Sequence, residues 1–222
     1  MHMNRLSVIC AATLITLVSP LAVWAQKNIE STNEAIKVPA SQLTGNVTTV
    51  NGSVTLEAGA KVAAIQTTNG AVELGDKAQA RQITTVNAGV SLGNGSVVEG
   101  GVSTTNGSVA LLPGAMVQGE VSTVHGSIEL NAAHVAGGIR TTSANITIGA
   151  NSHVEGGISV GKQESFLQWG HPTVIIGPHA VVQGPLEFRQ EVDLRVSESA
   201  KIGHVTGAEP QVFKGEVPKA AR

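Results

Sequence analysis

Nine-residue phrases recur in register along the chain: TTVNGSVTL (48–56), QTTNGAVEL (66–74), TTVNAGVSL (84–92), STTNGSVAL (103–111), STVHGSIEL (122–130) and RTTSANITI (140–148). Each starts 18 or 19 residues after the one before. Self-similarity at a fixed period marks an architecture in which each unit buries its apolar face only against its neighbours. The chain is therefore expected to stack rather than to collapse around one core.

The columns of the aligned repeats say how. Leu56, Leu74, Leu92, Leu111, Leu130, Ile148, Ile176 and Val196 form one apolar column. Two residues earlier, Val54, Val72, Val90, Val109, Ile128, Ile146, Val174 and Leu194 form another. Apolar residues at i and i+2 point to the same side of a strand, so both columns face inward and the residue between them faces out. A third column, Val47, Ile65, Ile83, Val102, Val121 and Ile139, starts a second short strand, and Val62, Val98, Val117, Val135 and Val154 mark a third. Three short faces per coil predict an all-β fold: a single-stranded parallel β-helix, a three-faced solenoid of about eight coils over residues 47–205. At about 4.8 Å per layer that rod would be about 40 Å long. Composition agrees, because aromatics are only 2% and charged residues 14%, against about 25% charged residues in an ordinary domain. Small and β-branched residues suit a narrow tube.

Corners need backbone freedom. Gly52, Gly70, Gly107 and Gly126 each follow an Asn or a His, and such pairs tolerate positive φ. Asn51, Asn69, Asn87 and Asn106 fall in one column and are expected to form an amide ladder from coil to coil. The hand of the helix stays open. Leu56, Val62, Thr68, Leu74, Ala80, Val86, Leu92 and Val98 are six apart, which also suits a left-handed hexapeptide helix, whereas the 19-residue coils break that spacing.

The ends and one insertion depart from the repeat. Residues 1–25 have the features of a cleavable signal peptide: Arg5, an apolar run from Leu6 to Val18, and Ala22-Val23-Trp24-Ala25 as the cleavage site. Export is expected, to the periplasm or the cell surface, with membrane contact only through that leader. Cys10 lies within it, so the remaining chain has no cysteine for disulfides, thiol catalysis or zinc ligation. Residues 26–46 read as a polar lead and 206–222 as a tail. Between Ile148 and Ile176 the spacing stretches to 28, so GKQESFLQWGHP (161–172) leaves the tube as a loop. Because that loop breaks the pattern and carries Phe166, Trp169 and His171, those residues are the candidate contacts for a partner, a glycan or a second copy.

The repeat phrases VIIGPHAVVQG (174–184) and ITIGANSHVEGGI (146–158) resemble those of bactofilins, bacterial polymer-forming β-helix proteins. TVNGS (49–53) and TVHGS (123–127) are similar to the repeats of putative-adhesin solenoids of the bacterial envelope. The first resemblance implies end-to-end polymerisation, in the cytoplasm or beneath the membrane. A cleavable leader departs from that pattern and moves the expectation towards the envelope.

Chemistry is sparse. The outward column Thr55, Glu73, Ser91, Ala110, Glu129, Thr147 puts its two carboxylates three coils, or about 14 Å, apart, whereas a glycosidase pair needs about 5 to 10 Å. His134 and His153 are expected to stack about 5 Å apart on adjacent layers, a spacing that suits a metal or a pH sensor. Neighbouring coils add no carboxylate or third histidine to that column, only Met116, so a solvated surface is expected there. His171 and His179 flank the loop, where a hexapeptide-acyltransferase-like enzyme would need a histidine in a cleft between subunits. Net charge is −2 with no basic tract, which excludes nucleic acid as a partner. The expected function is a non-catalytic, adhesin-like structural protein without cofactor or metal, binding itself or an envelope glycan or protein. A glycan- or peptidoglycan-binding module using the 161–172 loop is the alternative, and the acyltransferase-like enzyme a further one.

Overall fold

The computed structural model describes residues 27–162 and 171–215. These contain no helix, and every strand pairing is parallel. One sheet of ten strands runs from Ile36–Val38 to Gln211–Phe213 and takes one strand from each turn. A second sheet of 17 strands supplies the other two faces. In two coils a single strand, Lys61–Thr67 or Gln79–Thr84, spans both of those faces.

The β-solenoid therefore has about ten turns, two more than the repeats suggest. The segment read as a polar lead is itself a coil: Ile29–Ser31, Ile36–Val38 and Leu43–Thr44 pair in register with the strands that follow them. Its apolar residues are too few and too far apart to resemble the later phrases, yet Ile36 and Val38 are buried. In the segment read as a tail, Gln211–Phe213 adds a last strand against Arg195–Ser197. The rod is about 45 Å long at one layer per turn.

Register keeps like residues in columns. Val54 pairs with Val72 and Leu56 with Leu74, and the same two columns continue through Ile146–Val174 and Ile148–Ile176. All of these side chains are buried, while Glu73 and Glu129 between them are exposed. A third inward series carries threonine: Thr49, Thr67, Thr104, Thr123 and Thr141 are 2 or 3% exposed. Their hydroxyls bond the corner backbone. Thr67 Oγ1 accepts from Gly70 N at 3.2 Å, and Thr104 Oγ1 donates to Ala88 O at 3.0 Å. The hexad spacing does not describe the interior, because Val86 is 39% exposed and Thr68 is only half-buried.

The corners correct the sequence reading. Left-handed backbone occurs at Ser41, Gly59, Lys77, Gly95, Gly114, Ala132, Asn151 and His179, one residue in each of eight successive coils, in the turn before the third strand. Each of Gly59 and Lys77 thereby aims its N–H at the next coil, to Asp76 O and Asn94 O at 2.9 Å. Gly52, Gly70 and Gly107 have no positive φ; only Gly126 does, at 126°. They are needed because the backbone of the preceding coil passes directly beneath: a Cβ on Gly107 would stand 2.0 Å from Ala88 O.

Candidate functional site

The insertion leaves the tube after Val160 and returns at Thr173. Phe166 and Trp169 lie outside the described residues. His171 is described, and its Nε2 lies 3.4 Å from Glu191 Oε2 at the surface. The root is anchored by backbone and amide groups. Gly161 N donates to Thr141 O at 2.8 Å, Thr173 N donates to Asn145 Oδ1 at 2.9 Å, and Gln190 Nε2 donates to Thr142 O at 2.6 Å. Asn145 stands where earlier coils carry Ser127 and Ser108, so the longer amide reaches a strand that starts after an excursion.

The outer face changes character at this coil. Ile175 occupies the outward column between Thr147 and Arg195, both half-buried, yet is 1% exposed. The outer surface is thus covered at the strand that follows the insertion.

On the neighbouring face, beside the departure point, lies a groove of about 370 Å³ lined by Glu120, Arg140, Ser159, Glu187 and Arg189 over a floor of Gly138, Gly156 and Gly157. The glycine column makes it, because residues without side chains leave the corner shallow. Arg140 Nε and Nη2 donate to the two carboxylate oxygens of Glu120 at 2.8 and 3.3 Å. That bidentate pair, with a smaller contribution from Glu187, holds the guanidinium pKa above its ordinary value. Arg189 has no ion-pair partner among the described residues. The groove is a polar, charge-lined concavity at the lower end of the size range of small-molecule sites.

The chain matches no family model, no curated protein and no solved structure.

The remaining sequence candidates fall on the rod. Asn51, Asn69, Asn87 and Asn106 form an exposed amide ladder, each Nδ2 donating to the Oδ1 of the preceding coil at 2.7 to 2.9 Å, and Asn33 extends it into the first coil. His179 is exposed at a left-handed corner, where its N–H donates to Ser199 Oγ at 3.2 Å. His134 and His153 stack with ring centroids 5.1 Å apart. Their surroundings contain a carboxylate after all. Glu155 Oε1 lies 2.8 Å from His134 Nε2, arriving diagonally from the next coil. The sequence reading missed it by looking only along the histidine column, whereas a strand also brings residue i+2 to the same face.

Proposed function

We propose that this chain is an exported, non-catalytic solenoid that serves the bacterial envelope as a rigid, adhesin-like rod and adds further copies end to end. The observation that carries this reading is Val212. It continues the inward column of Val196 by direct register, yet is 68% exposed, because among the described residues no further strand covers it. A core column that stops at an unpaired strand edge favours addition of another strand. The other supports are the leader-like N-terminus and the wide separation of outward carboxylates. Light scattering and negative-stain microscopy of the purified chain over a concentration series test it: growth into linear oligomers that Val212→Lys blocks is expected. A concentration-independent monomer removes the self-assembly half of the reading.

The groove beside the insertion favours a second reading, a glycan- or peptidoglycan-binding module. Its charged rim would contact hydroxyl and carboxyl groups, with Phe166 and Trp169 as the candidate stacking residues. Retention on immobilised peptidoglycan fragments that Arg189→Ala and Trp169→Ala both reduce would support it. Retention of both variants unchanged from the parent chain would sink it.

A further inference from the structure

His134 and His153 are register partners on neighbouring coils, their ring planes inclined at 60°. Glu155 follows His153 by two residues and shares its outward face. Among the described residues this is the one place where three histidine, cysteine or acidic side chains each bring a ligand atom within 4.8 Å of the others. We propose that His134, His153 and Glu155 form a surface site for a divalent transition-metal ion of the zinc, copper or nickel type, with a fourth position open to water or to a donor from another molecule.

The donor set decides the class of ion. Two imidazole nitrogens and one carboxylate suit borderline divalent ions, whereas calcium and magnesium take oxygen ligands. A tetrahedral zinc with bonds of about 2.0–2.2 Å holds its ligand atoms roughly 3.4 Å apart. The side chains close that gap by χ rotation alone, since His134 and Glu155 are 34 and 45% exposed. The backbone is already fixed: His134 N and His153 N donate to Ala115 O and Ala133 O of the preceding coils, each at 2.9 Å. An ion takes the place of the proton between His134 Nε2 and Glu155 Oε1, and displaces the Gln183 amide, whose Nε2 lies 2.9 Å from His153 Nε2.

The surroundings do not oppose a cation. The flanking positions in the histidine column are Met116 and Val181, and Lys201 stands one coil beyond Val181. Glu155 supplies the negative charge that partly neutralises the ion.

Titration of the tag-free full chain with zinc chloride by calorimetry, alongside histidine ring NMR, tests the site. One saturable ion is expected, with the His134 and His153 ring signals shifting together. His153→Ala and Glu155→Gln should each weaken binding about tenfold or more, while His179→Ala leaves it unchanged and the circular dichroism of every variant stays that of the parent. Glu155→Gln keeps the side-chain shape, so it tests the carboxylate even if a histidine variant folds poorly. Absence of saturable heat, or affinity unchanged in the His134→Ala/His153→Ala double variant, would overturn the proposal. Zinc affinity unaffected by Glu155→Gln would overturn the three-ligand site.

Discussion

A Cβ built on Gly70 would stand 1.7 Å from the carbonyl oxygen of Gly52, the residue one coil below. Two kinds of glycine therefore hold this solenoid. One kind is required by close approach between coils, the other by left-handed backbone, and substitution should separate them. Gly70→Ala must push two layers apart and is expected to cost about 3 kcal/mol or more. Gly95, at φ 63° with only Lys77 Cγ near its missing Cβ at 3.7 Å, needs only the strain of the left-handed region. Gly95→Ala should cost about 1 kcal/mol, as Ala132 and Lys77 already carry side chains at the same corner. Urea denaturation of both variants checks the order.

The small-residue column just before the third strand makes an opposite prediction. Ala60, Ala78, Ala115, Ala133 and Ala180 are buried there, whereas Ser96 puts a buried hydroxyl in the column without a hydrogen-bond partner among the described residues. Thr44 does the same among the third-face valines. An unsatisfied buried polar group costs about 1 to 3 kcal/mol. Ser96→Ala and Thr44→Val should each raise the urea midpoint with no change in slope, by about 1 kcal/mol. A fall in midpoint would mean that the hydroxyls are satisfied in solution.

The first coil should loosen in acid. Lys37 Nζ lies 2.7 Å from Glu57 Oε1 and Ala40 N donates to Oε2 at 3.0 Å, both reaching from the first coil to the second. The Lys37 hydrogen bond, then the Ala40 N–H, hold the Glu57 carboxyl below its ordinary value. The unfolded carboxyl therefore binds its proton more readily than the folded one. Stability from this contact is fully present above the unfolded value of about 4.3 and is lost as pH falls through the lower folded value. Hydrogen exchange over residues 36–44 should accelerate below about pH 4 more than exchange in the middle of the rod, and Glu57→Gln should remove the difference.

What was legible in the sequence was what repeats. The columns of Val54 and Leu56 keep their two-residue offset from coil to coil, so period, strand faces and inward columns follow from counting. The first coil was hidden because Ile29, Ile36 and Val38 keep the register without keeping the phrase. The left-handed corner was hidden because its occupants share no single residue type: Ser41, Lys77, Ala132, Asn151 and His179 hold it alongside three glycines. Conversely, Asn-Gly suggested positive φ where the structure has a close crossing. The cluster of His134, His153 and Glu155 is diagonal across two coils, so neither a linear motif nor a single column reveals it. Gly138 and Gly157 mark their groove only once the third dimension is known.

Because each coil away from the insertion packs on its neighbours, damage there should stay local in a way that a globular core does not allow. Leu111 is 1% exposed near the middle of the stack, between Leu92 and Leu130 in the same column. Leu111→Ala removes a contact to both and opens a void the rigid layers cannot close, at a cost of about 2 to 5 kcal/mol. In a one-dimensional stack that cost falls on the interfaces of one coil. Hydrogen exchange is therefore expected to rise steeply in the strands at 90–92, 109–111 and 128–130, and much less at 36–38 or 194–196. A uniform rise along the whole rod would mean that the coils unfold as one cooperative unit, and that the insertion and terminal segments couple the layers more strongly than nearest-neighbour packing does.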